Sequence, residues 1–220
     1  MLPPTDKDRA DDLQIMLPQF AMPGEPRLPR RDLPFVHRFF TPEDPDGSTI
    51  VVLHGSGGTE ADLMPLAHRV APRATLLGVR GRSHEESSAR WFRRVTATTF
   101  DQADIKAEAE AFAAFVGGAI TGYGLKPARM TFLGFSNGAN FAAAVIGLQP
   151  GVISRAILLR AIPVLETLPA VDLTDVDVLM VGASGATLRV HTIEAAHELV
   201  PEDAVVAREW HSRNDGEDHG

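Results

Sequence analysis

The chain has 220 residues, 44% of them hydrophobic, a formal charge of −8 and no cysteine. That length suits one domain with a substantial core; the missing thiols exclude disulfides, thiol catalysis and Cys-based zinc sites, and the acidic balance argues against nucleic acid, whose phosphates need a basic face. No apolar run reaches the roughly 18–20 residues of a membrane span, and residues 1–21 lack a charged-then-apolar leader pattern, so a soluble cytoplasmic protein without a membrane partner is expected.

Residues 1–31 carry Pro3, Pro4, Pro18, Pro23, Pro26 and Pro29 and read as an extended arm or surface strap ahead of one domain over 32–220. Phe35 to Phe40 is a first strand, and Asp44-Pro45-Asp46-Gly47 a turn. Thr49 to Leu53 is a β-branched and apolar run of the kind buried on both faces. A helix is expected over 61–70, a strand over 75–79, then a long polar loop over 80–99 that holds Trp91 and Phe92. Ile105, Ala109, Phe112, Val116 and Ile120 recur at three- and four-residue spacing, and Gly122 and Gly124 end that helix. Asp101 just before it reads as a cap. Strands follow over 129–133, 156–159, 176–181 and 204–210, with helices over 140–148 and 188–199. Such alternation gives a mainly parallel sheet with helices on both faces. Loops at the carboxyl ends of its strands then form the natural site.

Two of those loops carry chemistry. Gly134-Phe135-Ser136-Asn137-Gly138 joins the strand ending at Leu133 to a helix of small residues. Glycines two before and two after a serine permit a sharp turn that lifts the hydroxyl out of the sheet onto a helix N-terminus. There, free amides and the helix dipole favour developing negative charge. His54-Gly55-Ser56-Gly57-Gly58 follows the doubly buried strand. It lacks the terminal Lys-Ser/Thr of a phosphate-binding P-loop and does not fit G-x-G-x-x-G. A plain Gly-rich turn is one reading. The better one pairs the Ser56 amide with the Asn137 amide as an oxyanion hole.

Ser136 as nucleophile needs an imidazole to take its proton. On this fold class the base follows the nucleophile in the chain. Of the histidines after Ser136, His191 and His197 fall on the expected helix over 188–199. His211 ends the last strand, and His219 lies in the loop beyond it, from which a base could reach the serine. His219 is therefore favoured, with His211 as fallback. The acid that would orient this ring is not evident. The loop after the strand 176–181 has no carboxylate, Asp172, Asp175 and Asp177 lie at the wrong end of that strand, Asp215 and Asp218 flank the base, and Glu166 follows the preceding strand. Trp91 and Arg93, in Ala89-Arg90-Trp91-Phe92-Arg93-Arg94, either line a substrate pocket or anchor the loop with solvated arginines.

Together, Leu53 to Leu63, Arg80-Gly81, Arg90 to Arg94, Phe100-Asp101 and Gly134 to Asn140 resemble the phospholipase/carboxylesterase group of α/β-hydrolases, and small bacterial carboxylesterases with a Ser-Asn-Gly turn most of all. The resemblance covers about residues 33 to 211. It implies an α/β-hydrolase fold and a serine hydrolase acting on small carboxylic esters or thioesters, with Ser136 as nucleophile and Ser56 and Asn137 as oxyanion donors. No cofactor or metal is needed, and self-association as a homodimer is left open. Two departures stand out. Gly185 occupies the place of the family's aspartate, and the family's final helix after its Gly-His has no counterpart, so the fold is expected to lack the usual C-terminal helix. The acid then comes from elsewhere, or the chain works as a Ser-His dyad, or it is an impaired hydrolase-like protein that binds a small molecule without turnover.

Overall fold

The computed structural model describes residues 24–27, 33–85, 88–96, 98–167 and 170–182. In chain order the main sheet uses β1 (Gly24–Arg27), β2 (His37–Pro42), β3 (Thr49–Leu53) and β4 (Thr75–Val79). A small hairpin of β5 (Ser83–Glu85) and β6 (Ser88–Arg90) follows, and β7 (Met130–Phe135), β8 (Arg155–Leu159) and β9 (Asp177–Val181) complete the main sheet. The helices are α1 (Met64–Val70), α2 (Gln102–Tyr123) and α3 (Asn137–Leu148). Seven strands lie in the order β1-β2-β4-β3-β7-β8-β9. β1–β2 and β2–β4 pair antiparallel, and the other pairings of this sheet, β4–β3, β3–β7, β7–β8 and β8–β9, are parallel.

The alternation of side chains along the central strands explains why both faces are covered. Val51 and Leu53 of β3, Phe132 of β7, and Ala156 and Leu158 of β8 point into one cluster with Phe112, Phe115 and Val116 of α2 and Phe141 and Val145 of α3. Ile50, Val52, Leu133 and Ile157 point the other way, into a cluster with Met64 and Ala67 of α1. Successive strand residues face opposite sides, so a strand sandwiched between helices must be apolar at every position. That is why β3 is buried along its whole length.

Helix α2 follows its sequence closely. The Asp101 carboxylate accepts hydrogen bonds from the amides of Ala103 and Asp104, and Gly124 closes the helix at φ 67. Of the expected stripe, Ile105, Ala109, Phe112 and Val116 are buried and Ile120 is half-buried, and Phe115 and Ala119 join the buried face. Among the described residues, no helix is long and apolar enough to cross a membrane.

Several elements depart from their expected extents. Helix α1 begins at Met64 rather than residue 61, because the Asp62 carboxylate takes up the amide and hydroxyl of Thr59 in a local turn. Such side-chain bonds compete with helix formation, and Pro65 then fits the first helical turn. The polar loop over 80–99 contains the β5–β6 hairpin and places Trp91 and Phe92 in the core. Part of the N-terminal arm, Gly24–Arg27, is the edge strand, with Pro26 opposite Phe40; a proline is tolerated there because an edge need not donate on both sides. The helix and strand expected over 188–199 and 204–210, and the expected lack of a C-terminal helix, fall outside the described residues.

Phe112 is fully buried at the centre of the α2 contact, edge-on to Phe35 at 5.7 Å, Trp91 at 5.9 Å and Phe141 at 5.5 Å. Phe112→Ala should cost about 3–5 kcal/mol of stability, read as a lower urea midpoint with little change in slope.

Candidate active site

Strand β7 turns into helix α3 through a single residue, Ser136, held at φ 49 and ψ −113. Non-glycine residues rarely occupy this region, and holding one there costs on the order of 1–3 kcal/mol. Packing on either side enforces it. A Cβ on Gly134 would meet the backbone nitrogen and Cα of Ala139, each at 2.7 Å, and one on Gly138 would collide with the carbonyls of Leu53 and His54. The start of α3 thus lies against the ends of both β7 and β3. The Ser136 amide donates to the Leu159 carbonyl at 2.8 Å, and the Asn140 amide donates to the Ser136 carbonyl at 2.9 Å. Ser136 stands at the capping position of α3, where a serine hydroxyl ordinarily binds the first amides. Here it makes no such bond. The hydroxyl is left half-buried at a helix N-terminus, where negative charge is favoured.

The loop after β3 is held just as closely. The His54 ring is 1% exposed. Its Nε2 accepts the Gly81 amide at 3.0 Å, and its Nδ1 lies 2.6 Å from the Gly55 carbonyl. An amide can only donate and a carbonyl only accept, so the ring is neutral with its proton on Nδ1. Burial lowers the pKa of His54, and Arg80 adds to the effect; the bond to Gly55 and the charges of Asp62 and Glu60 oppose it without prevailing. Beyond the ring, Ser56 is exposed and Gly57 adopts φ 77, a conformation that glycine takes without steric cost. Among the described residues, the amides of Ser56 and Asn137 have no acceptor.

Trp91 is fully buried. It stacks on Phe141 at 5.0 Å and 18° and donates from Nε1 to the His54 carbonyl at 2.9 Å. This placement corrects the expectation of a pocket wall: the indole is an anchor of the loop with no accessible face. Arg93 is 60% exposed and pairs with Asp101 at 3.0 Å and Asp104 at 3.3 Å, contacts that stabilise by at most about 1 kcal/mol at such exposure. Glu85 holds both Arg90 and Arg94 at 2.9 Å. Burial alone would raise the Glu85 pKa, but the bonds from Arg94 and the charges of both arginines outweigh it and hold it low.

Of the carboxylates considered as the acid, Asp177 opens β9, and Asp172 and Asp175 precede it. Asp177 lies at the amino end of its strand, two strands across from β7, and Ser136 lies past the carboxyl end of β7, so these carboxylates stand at the opposite end of the sheet from Ser136. Glu166 follows β8, its amide bound to the Gln102 side chain at 3.1 Å. His191, His197, His211, His219, Asp215, Asp218 and Gly185 lie outside the described residues. Two features escaped the sequence reading. Asn140 uses its side-chain oxygen to bind the Ile162 amide at 2.8 Å, fastening the loop after β8 to α3. Asn137 contributes a side-chain acceptor as well as an amide, taking the Trp91 amide at 3.0 Å.

A serine strained at the carboxyl end of a central parallel strand, beside a glycine-rich loop from the neighbouring strand, defines the molecule as an α/β-hydrolase. Known proteins agree. A carboxylesterase from Mesorhizobium loti is 43% identical, with 70% of this chain and 74% of that one covered at a TM-score of 0.67. A Bacillus cereus carboxylesterase is 27% identical, covering 76% and 78% of the two chains at a TM-score of 0.66. MhqD of Bacillus subtilis, named as a hydrolase, is 29% identical over 185 residues, or 74% of this chain and 92% of that protein. No protein-family profile matches the sequence. The chain belongs to the carboxylesterase family of the α/β-hydrolases.

The depressed His54 pKa makes a pH prediction. Between the ordinary histidine value of about 6.5 and the lower folded value, the unfolded chain binds more protons than the folded one. The contribution of His54 is therefore complete above about pH 6.5 and is lost as pH falls below it. Melting temperature measured from pH 7.5 to 5 should drop more steeply in the wild type than in His54→Gln. Glu60 acts in a separate, more acidic window: burial works against its charge, but the hydrogen bond and charge of Arg80 keep its pKa low.

Proposed function

We propose that this chain hydrolyses small carboxylic esters, or thioesters, through an acyl-enzyme formed on Ser136. The observation that carries the reading is the Ser136 backbone, held at φ 49 between Gly134 and Gly138 with its hydroxyl unused as a helix cap. Strain of this kind clusters at active sites and ligand-binding turns. The carboxylesterase relatives support the same chemistry.

In the first step the Ser136 oxygen bonds to the ester carbonyl carbon while its proton passes to an imidazole. The carbonyl π electrons move onto oxygen, and that oxyanion accepts the unpartnered amides of Ser56 and Asn137. Re-forming the carbonyl breaks the bond to the alcohol, or thiol, oxygen or sulfur, which leaves with the proton held by the imidazole. Water then repeats the sequence on the acyl group, restoring the serine and releasing the acid. Donors fixed before the charge appears need no reorganisation, which is why such amides lower the barrier. His219 is the base in this proposal and His211 its substitute. With Gly185 at the family's aspartate position, the base would work without that carboxylate. In triad enzymes that loss costs on the order of 10⁴ in turnover.

A biotinylated fluorophosphonate and p-nitrophenyl acetate test the proposal. The wild type should be labelled and turn over the ester. Ser136→Ala should lose all labelling and at least about 10³-fold of turnover. A wild type inert to both would instead favour a hydrolase-like binding protein, the reading to which Gly185 points.

A further inference from the structure

We infer that Ala89-Arg90-Trp91 is a brace that fixes the two oxyanion loops relative to one another, which makes Trp91 and the Asn137 side chain positioning residues for hydrolysis. The inference rests on the ester-hydrolase reading above. Three consecutive residues reach both loops. The Ala89 carbonyl accepts the Gly57 amide at 2.9 Å, one residue beyond Ser56. The Trp91 amide donates to Asn137 Oδ1 at 3.0 Å, on the residue that supplies the other amide. The Trp91 indole donates to the His54 carbonyl at 2.9 Å, at the root of the first loop. Between them, the Arg90 carbonyl lies so close to Gly81 that no Cβ would fit there, and the Gly81 amide is the one that holds His54 Nε2.

A loop with glycine at 55, 57 and 58 has little stiffness of its own. Oxyanion donors act only when held to within about 0.5 Å of their working positions. The brace supplies that rigidity from the core. Trp91 is fully buried between Phe141 and Phe112, so its two donors are fixed by packing on the sheet face rather than by either loop. A tryptophan serving only to fill the core would also have to pair both N–H groups, but nothing would require the acceptors to lie on these two loops. Here both of its N–H groups end on the segments that carry the anion-binding amides.

The test compares three variants. Asn137→Ala removes the side-chain acceptor and keeps the backbone amide. Trp91→Phe keeps an aromatic ring and removes the indole donor. Phe115→Leu loosens the same aromatic cluster at a ring that packs on Phe35 and Phe112 rather than on Trp91, and leaves every bond of the brace intact. Each is assayed with p-nitrophenyl acetate and with an alkyl trifluoromethyl ketone, which forms an anionic adduct on a serine nucleophile. Asn137→Ala and Trp91→Phe should lower kcat by about 10- to 100-fold, with KM changed by less than about threefold, and the inhibition constant of the ketone should rise in step with the fall in kcat. Phe115→Leu should lower Tm and leave the ketone affinity near that of the wild type. Should Trp91→Phe fail to fold, Asn137→Ala carries the test. Wild-type kcat and ketone affinity in Asn137→Ala would overturn the brace, as would an equal loss of ketone affinity in Phe115→Leu. A wild type unreactive toward fluorophosphonate and ester would overturn the underlying reading, a result distinct from either.

Discussion

The contact on which this molecule turns is the seating of the α3 N-terminus against the ends of β7 and β3. It requires bare backbone at Gly134 and Gly138, since a methyl group at either position would strike the main chain. With the helix pressed that close, only one residue remains to reverse the chain direction, and Ser136 takes up the distortion. Helix dipole, first-turn amides and hydroxyl all converge at one point as a result. The local cost is modest beside the burial of the apolar residues on α3, of which Phe141, Ala142 and Val145 are wholly enclosed. The core therefore sustains a strained turn that no isolated segment could keep.

A second layer of order comes from hydrogen bonds that cross between loops rather than run along strands. His54 is tied to Gly81, Trp91 to His54 and Asn137, and Asn140 to Ile162. Each joins segments that the sheet alone would leave independent. Buried polar atoms left unpartnered cost about 1–3 kcal/mol apiece, so this network holds together as a set. It also explains why the carboxyl end of the sheet can be rich in glycine and still be fixed.

How far the sequence revealed this depended on the range of each interaction. Thr49 to Leu53 and the stripe from Ile105 to Val116 announce themselves because burial repeats with the period of the element. The turn at Ser136 was legible because its glycines sit two residues away on either side. The β5–β6 hairpin was not, since three-residue strands are too short to display alternation. The roles of His54 and Trp91 were hidden for a different reason: the partners of His54 lie 27 and 37 residues along the chain, and nothing local marks them. Trp91 looked equally suited to a pocket or the core, and only its packing against Phe141 decides between them. The pairing of Gly24–Arg27 with β2 was not legible within the proline-rich residues 1–31, because strand pairing is a long-range fact.

The tautomer of His54 carries one more implication. With its outward nitrogen occupied by a main-chain donor and its other nitrogen facing a carbonyl, this imidazole is withdrawn from acid–base traffic although it stands at the root of the glycine loop. Picking up a second proton would expel the Gly81 amide from its only acceptor on the ring. His54 is therefore fixed as a structural ring and stands apart from the proton relay of the proposed reaction.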